Sequence, residues 1–223
     1  MSGLLDDVRR VLGEWEPPTS AQAELREGYL AHLRVHEDGI WRDGPPAHLT
    51  ASCFVLDPSG ERALLTLHRK GGFWVQFGGH LEPSDTSLAA AALREGVEES
   101  GVPGLRLLGS AGLAPVDLDR HALSSRFGRC REHLDVAFVA IAAADSVPVV
   151  SDESDHVAWW PVDQLPSTAV DDLPGRLARV AARVRQLAAS SVVTSVASAA
   201  AAPSSAPSSS PIAEPAAAAT PSR

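Results

Sequence analysis

Residues 78–102, reading GGHLEPSDTSLAAAALREGVEESGV, constrain this chain more than any other stretch. A Gly-Gly pair leads through a polar turn containing Pro83 into an alanine-rich run. That run carries Arg94, Glu95, Glu98 and Glu99 and stops at Gly101. With about 100° of turn per residue, the three glutamates fall at i, i+3 and i+4 and share one narrow sector of a helix. Leu88, Ala89, Ala92, Leu93 and Val97 supply a small apolar side, so such a helix can lie on a sheet and point its acids into a cleft. Gly101 stands where a left-handed C-terminal cap belongs. Like charges at these spacings destabilise a helix by roughly 0.2–0.5 kcal/mol per pair. A hard divalent cation with oxygen ligands reverses that sign. Three glutamates taken alone read more plainly as a solvated acidic face.

The surrounding residues narrow the choice. Arg94-Glu95-Gly96-Val97-Glu98-Glu99-Ser100-Gly101-Val102, with Gly78 and Gly79 upstream, resembles the signature of the Nudix hydrolases, Arg-Glu-aliphatic-x-Glu-Glu-x-Gly-aliphatic after a glycine-rich loop. Three positions depart from it. The upstream acid is Asp85, one residue further from Arg94 than usual; Gly96 replaces an aliphatic residue; Phe77 stands where proline is common. The resemblance covers roughly residues 47–170. It implies an α/β fold, a Nudix-type α/β/α sandwich with a mixed sheet, and a pyrophosphohydrolase that splits a diphosphate linkage by water attack on phosphorus. It further implies Mg²⁺ or Mn²⁺ held by Glu98 and Glu99, with Glu95 and the carbonyl of Gly79 as further ligands. Glu95 or Glu98 accepts the proton of water, and Arg94 orients Glu95. A nucleotide-binding or regulatory module of the same fold without turnover is the alternative, and retention of Arg94 and all three glutamates argues against it.

The formal net charge is −9 over 223 residues, which excludes a basic surface for a nucleic-acid polymer and leaves a small phosphate substrate, a nucleotide or its derivative, as the expected partner. Cys53 and Cys130 lie in unrelated contexts without metal-ligand spacing and read as reduced thiols, Cys53 within a strand. The beginning MSGLLDDVRR has acids and arginines too early for a secretory segment, and no stretch is apolar enough to span a bilayer. A cytoplasmic protein is expected.

Along the chain, residues 3–15 and 20–35 have helical periodicity and form an extension, 1–46, that covers the core, lines the substrate site or contacts a second copy in a homodimer. HLTASCFVLD and RALLTLHRK predict a hairpin about Pro58-Ser59-Gly60. His68, Trp74 and His80 flank the glycine loop and are candidate substrate contacts. Strand packing for His68, a core position for Trp74 and a spacer role for His80 are the competing readings. LRLLGSAGLAPVDLD predicts a strand and then a loop. A polar run with Ser124, Ser125, Arg126, Arg129 and Arg131 follows. REHLDVAFVAIAA predicts a central strand on which His133 and Asp135 share one side, for metal or substrate or for a structural hydrogen bond. Glu153 and Asp155 are candidates for a downstream acid. Residues 173–187 predict an amphipathic helix closing a domain at 47–187, with Leu177, Val180, Ala181, Val184 and Leu187 inward and Arg176, Arg179, Arg183 and Arg185 largely elsewhere. Beyond it, 188–223 is Ala, Ser and Pro with almost no charge, a composition expected to be disordered.

Overall fold

The computed structural model describes residues 3–108, 114–125, 128–143, 145–150 and 154–200, with side chains as far as 186. The chain divides into two units, Met1–Ala188 and Ala189–Arg223, and the sheet and candidate site lie in the first.

The frame is a pair of long strands, β1 (Ala47–Leu56) and β7 (Glu132–Ile141). They run parallel over their full length, from Ala47 opposite Glu132 to Leu56 opposite Ile141. Both are buried along nearly their whole length, as expected of central strands covered on two faces. The predicted hairpin forms: β1 turns back into β2 (Arg62–His68), and the Asp57 carboxylate accepts the backbone N–H groups of Glu61 and Arg62 at 3.0 and 3.1 Å. β3 (Phe73–Val75) pairs with β2, and β4 (Phe77–His80) returns antiparallel to β1. β5 (Arg106–Leu107) and β6 (Asp117–Ala122) pair with β7, and β8 (Ser154–Pro161) with β2. The result is one mixed eight-stranded sheet.

Helices cover both faces. α1 (Gly3–Glu14), α2 (Ser20–Val35) and α3 (Leu88–Ser100) pack on the side of Leu49, Ala51, Val136 and Phe138. The N-terminal extension is thus built into the core: Leu4, Leu5, Val8, Val11 and Leu12 share a cluster with Leu88, Ala89, Ala91 and Ala92. α4 (Leu173–Ala200) covers the other side through Leu173, Leu177, Val180 and Val184 against Phe54, Leu56, Ala137 and Val139.

Gly96 permits the close approach of α3 to β1. A Cβ there would lie 3.3 Å from both Cβ and Sγ of Cys53, a fully buried cysteine whose thiol burial pushes up to about 12. The aliphatic residue of the family pattern would collide with the sheet.

Two expectations need correction. The segment read as a loop before the polar run contains β6, because every residue from Asp117 to Ala122 finds a partner on β7. Arg176 does not lie away from the apolar side of α4; its side chain is 5% exposed. It donates to Asp117 at 2.6 Å and lies 3.4 Å from Asp119 and 3.3 Å from Asp135. Burying Asp117 and Asp135 requires a cation in their midst. The helix predicted over 173–187 forms and runs on to Ala200, consistent with the high helix propensity of alanine; residues 201–223 lie outside the described residues. Among those described, no helix is long and apolar enough to cross a membrane.

Two stability effects follow. Gly96→Leu should lower stability by about 1–3 kcal/mol despite its better helix propensity, because overpacking against Cys53 outweighs the roughly 1 kcal/mol gained from replacing glycine. A rise in the denaturation midpoint would contradict this. Arg176→Leu should cost about 3–5 kcal/mol at pH 7 by stranding buried carboxylates. The loss should shrink as the pH is lowered and those carboxylates take up protons, measurable by urea denaturation at several pH values.

Candidate active site and a neighbouring histidine cluster

The start of α3 is fixed by two side chains. Ser87 caps it, its Oγ accepting the Ala90 N–H at 3.1 Å. Asp7 from α1 accepts the Leu88 N–H at 2.8 Å. At the other end Gly101 has φ 63° and returns its N–H to the Val97 carbonyl, the left-handed cap expected there.

Arg94 is the cation that offsets the crowded glutamates. Its guanidinium donates to both carboxylate oxygens of Asp85 at 3.0 and 3.1 Å, to Glu95 at 3.0 Å, to Glu98 at 3.1 Å and to the His80 carbonyl at 3.0 Å. The hydrogen bond to Asp85, opposed by burial and helped by the charge of Glu95, raises the arginine further above its ordinary range. Asp85 is 4% exposed in its side chain, Glu95 14% and Glu98 59%. Glu99 is nearly buried and accepts the Gly78 N–H at 2.9 Å. A Cβ on Gly79 would stand 2.6 Å from Oε1 of Glu95, so glycine is what lets the loop backbone meet that carboxylate. The glycine loop and α3 are thus joined in two places, Gly79 beside Glu95 and Gly78 on Glu99, with Arg94 linking Glu95 to Glu98. Carboxylates beside a glycine backbone make an all-oxygen donor set suited to a hard divalent cation.

The other predicted residues divide. His68 stacks on Phe73 at 5.6 Å, and its Nδ1 accepts the Gly71 N–H at 3.1 Å. Trp74 is 7% exposed within the cluster under α4, edge-on to Trp160 at 5.4 Å. Asp135 is buried and accepts from Thr50 at 3.1 Å and Ser52 at 2.6 Å. Burial raises its carboxyl, against the opposing pull of Arg176. Asp155 pairs with Arg69 at 2.9 Å on an exposed edge. Glu153 and Arg126 lie outside the described residues.

His80 and His133 come together with three residues not singled out from the sequence as site residues: His48, His121 and Cys130. His48 faces His133 across the parallel pairing, His121 faces it from β6, and His80 lies on β4 opposite Thr50. The ring centroid of His133 is 5.4 Å from His48, 5.2 Å from His80 and 5.3 Å from His121. Cys130, buried, sits just before β7 and joins His48, His80 and His133 in a group whose ligand atoms all lie within 4.8 Å of one another. Burial, reinforced by neighbouring imidazoles, pushes His133 down to about 3; burial and His48 push His80 down to about 4. His121 is instead raised: burial opposes its charge, but the hydrogen bond to Asp119 at 2.7 Å favours it. Cys130 and His133 stand only three residues apart, a Cys-x-x-His spacing that could have drawn notice, whereas His48 and His80 are brought to them by the strand register alone.

The NUDIX domain family model matches residues 46–183. A NUDIX-family hydrolase from Clostridium perfringens superposes with a TM-score of 0.50 at 20% identity, covering 63% of this chain and 97% of that one. The dihydroneopterin triphosphate pyrophosphohydrolase of E. coli gives 0.50 at 15%, covering 60% and 95%. At these identities the two structures speak for the fold alone. No curated protein matches the chain. The family match spans more than half of the 223 residues and takes in Gly79, Arg94 and all three glutamates of α3: the chain belongs to the NUDIX family.

Proposed function

We propose that this chain is a divalent-metal-dependent hydrolase that cleaves a diphosphate linkage in a nucleoside diphosphate-linked or related small molecule by water attack on phosphorus. The observation that carries this reading is Arg94 holding Asp85, Glu95 and Glu98 together while Glu99 is tied to Gly78. Glu95, Glu98 and Glu99, with the Gly79 carbonyl, would hold Mg²⁺ or Mn²⁺. When bound, the metal supplies positive charge for phosphate oxygens and lowers the pKa of water. An acidic protein needs that charge from outside itself.

The chain's own residues do the rest. Arg94 fixes Glu95 through a charge-assisted hydrogen bond, an orientation that suits it to position water or accept its proton. Glu98 is the most exposed of the carboxylates that Arg94 holds and so the one most open to a substrate. The Gly78–Gly79 backbone, without Cβ atoms, leaves room for a phosphate to approach the same helix. His68, on the rim of the β2–β3 turn, is a proposed substrate contact.

A panel of nucleoside triphosphates, nucleotide sugars, ADP-ribose and dinucleotides, assayed for product release with and without Mg²⁺ or Mn²⁺, tests the reading. Activity should need metal and fall by at least about a hundredfold in Glu98→Gln with the melting temperature nearly unchanged. Tight binding of one compound without turnover would overturn the hydrolase reading in favour of a binding module. Arg94→Ala should behave differently from Glu98→Gln. It should lose activity and also about 3 kcal/mol of stability, since it leaves the nearly buried Asp85 without its cation.

A further inference from the structure

We propose a second metal centre, distinct from the oxygen site on α3: a closed zinc site formed by His48, His80, His133 and Cys130. Their ligand atoms converge to within 4.8 Å of one another. Zinc with bonds of about 2.0–2.1 Å to nitrogen and about 2.3 Å to sulfur needs ligand atoms roughly 3.3–3.8 Å apart in a tetrahedron. The Nε2 atoms of His48 and His80 are 3.1 Å apart, so this pair needs to open by only about 0.2 Å. The widest pair closes by about 1 Å, within reach of side-chain rotation.

Hydrogen bonding within the group favours a cation. The Pro45 carbonyl, 3.0 Å from Nδ1 of His48, can only accept, so that nitrogen carries the proton and Nε2 presents its lone pair inward. Nε2 of His80 must then spend its proton on His48. Nε2 of His133 is buried with no hydrogen-bond partner at all. Three imidazoles with an orphaned nitrogen and a buried thiol make a costly grouping in an interior unless something satisfies them together.

The donor set selects the metal. Three imidazole nitrogens and one thiolate suit zinc and do not suit Mg²⁺, which requires oxygen. Binding displaces the Cys130 thiol proton to solvent and moves the His80 proton to Nδ1, leaving a complex of net charge +1. Arg42 acts on His80 and His133 as a like charge, which the thiolate offsets. With four protein ligands the site has no open position for substrate and is structural. It would clamp β1, β4 and β7 to the segment before β7. His80 and His133 are thereby assigned to this centre rather than to direct substrate contact.

The centre is independent of hydrolysis, so it is tested separately. The full-length chain as purified is assayed for metal content, then stripped with a chelator and titrated with Zn²⁺ or Co²⁺. About one zinc per chain is expected, with a higher melting temperature. Cobalt should give tetrahedral visible absorption and a thiolate charge-transfer band. Cys130→Ser should abolish that band and weaken zinc binding by more than about tenfold. Glu98→Gln should change neither. If stripping unfolds the chain, zinc content as purified, compared between the native chain and Cys130→Ser, decides. Failure to bind zinc on titration overturns the proposal, and so does equal binding by Cys130→Ser. Loss of the cobalt band in Glu98→Gln does the same.

Discussion

The parallel pairing of β1 with β7 is the constraint from which the rest of the molecule takes its arrangement. Because the two strands run in step for ten residues, the side-chain alternation of one is locked to that of the other. Leu49, Ala51 and Cys53 face the same way as Leu134, Val136 and Phe138 and receive α3 and the N-terminal helices. His48, Thr50 and Ser52 face the other way beside His133 and Asp135. A slip of one residue would invert both sets and put the polar row under α3. The register therefore fixes which face carries α3 with its glutamates and which carries the histidines.

Two arginines then decide which acids the fold can hold. Arg94 gathers Asp85, Glu95 and Glu98, and its fork geometry lets one guanidinium serve several carboxylate oxygens and a backbone carbonyl together. The lengthened interval between Asp85 and Arg94 leaves the pair intact: the aspartate is met by both sides of the fork. Arg176 does for Asp117 and Asp135 what Arg94 does for the loop, but in the interior, where each partner without the other would be an uncompensated charge.

The sequence was legible where one periodic element carried the meaning. The α3 motif, its cap at Gly101, the β1–β2 hairpin and the central strand with His133 and Asp135 on one side could all be read from local spacing. Legibility ended where a residue's role depends on a distant partner. Asp117 and Asp119 look like loop residues until β7 and Arg176 are beside them. Arg176 looks like one more solvent-facing arginine on α4. Gly96 looks like a helix defect until Cys53 is seen underneath it. Cys130 and His133 form a Cys-x-x-His pair, but a lone pair of that kind is a weak signal, and the other two members, His48 and His80, are supplied by strands far away in the chain.

β4 joins the two centres. Its side chains alternate, so consecutive residues serve opposite faces of the sheet. At Gly79 the missing Cβ points at Glu95, while at His80 the imidazole points at His48 and His133. The same peptide links them, and the His80 carbonyl is itself held by Arg94. The two donor sets differ in kind: carboxylate oxygens suit a hard cation, whereas imidazole nitrogens with a thiolate favour zinc over Mg²⁺. Anchoring His80 on one face limits how far Gly79 can move on the other. The Gly78–Gly79 backbone is thereby held from the face opposite α3.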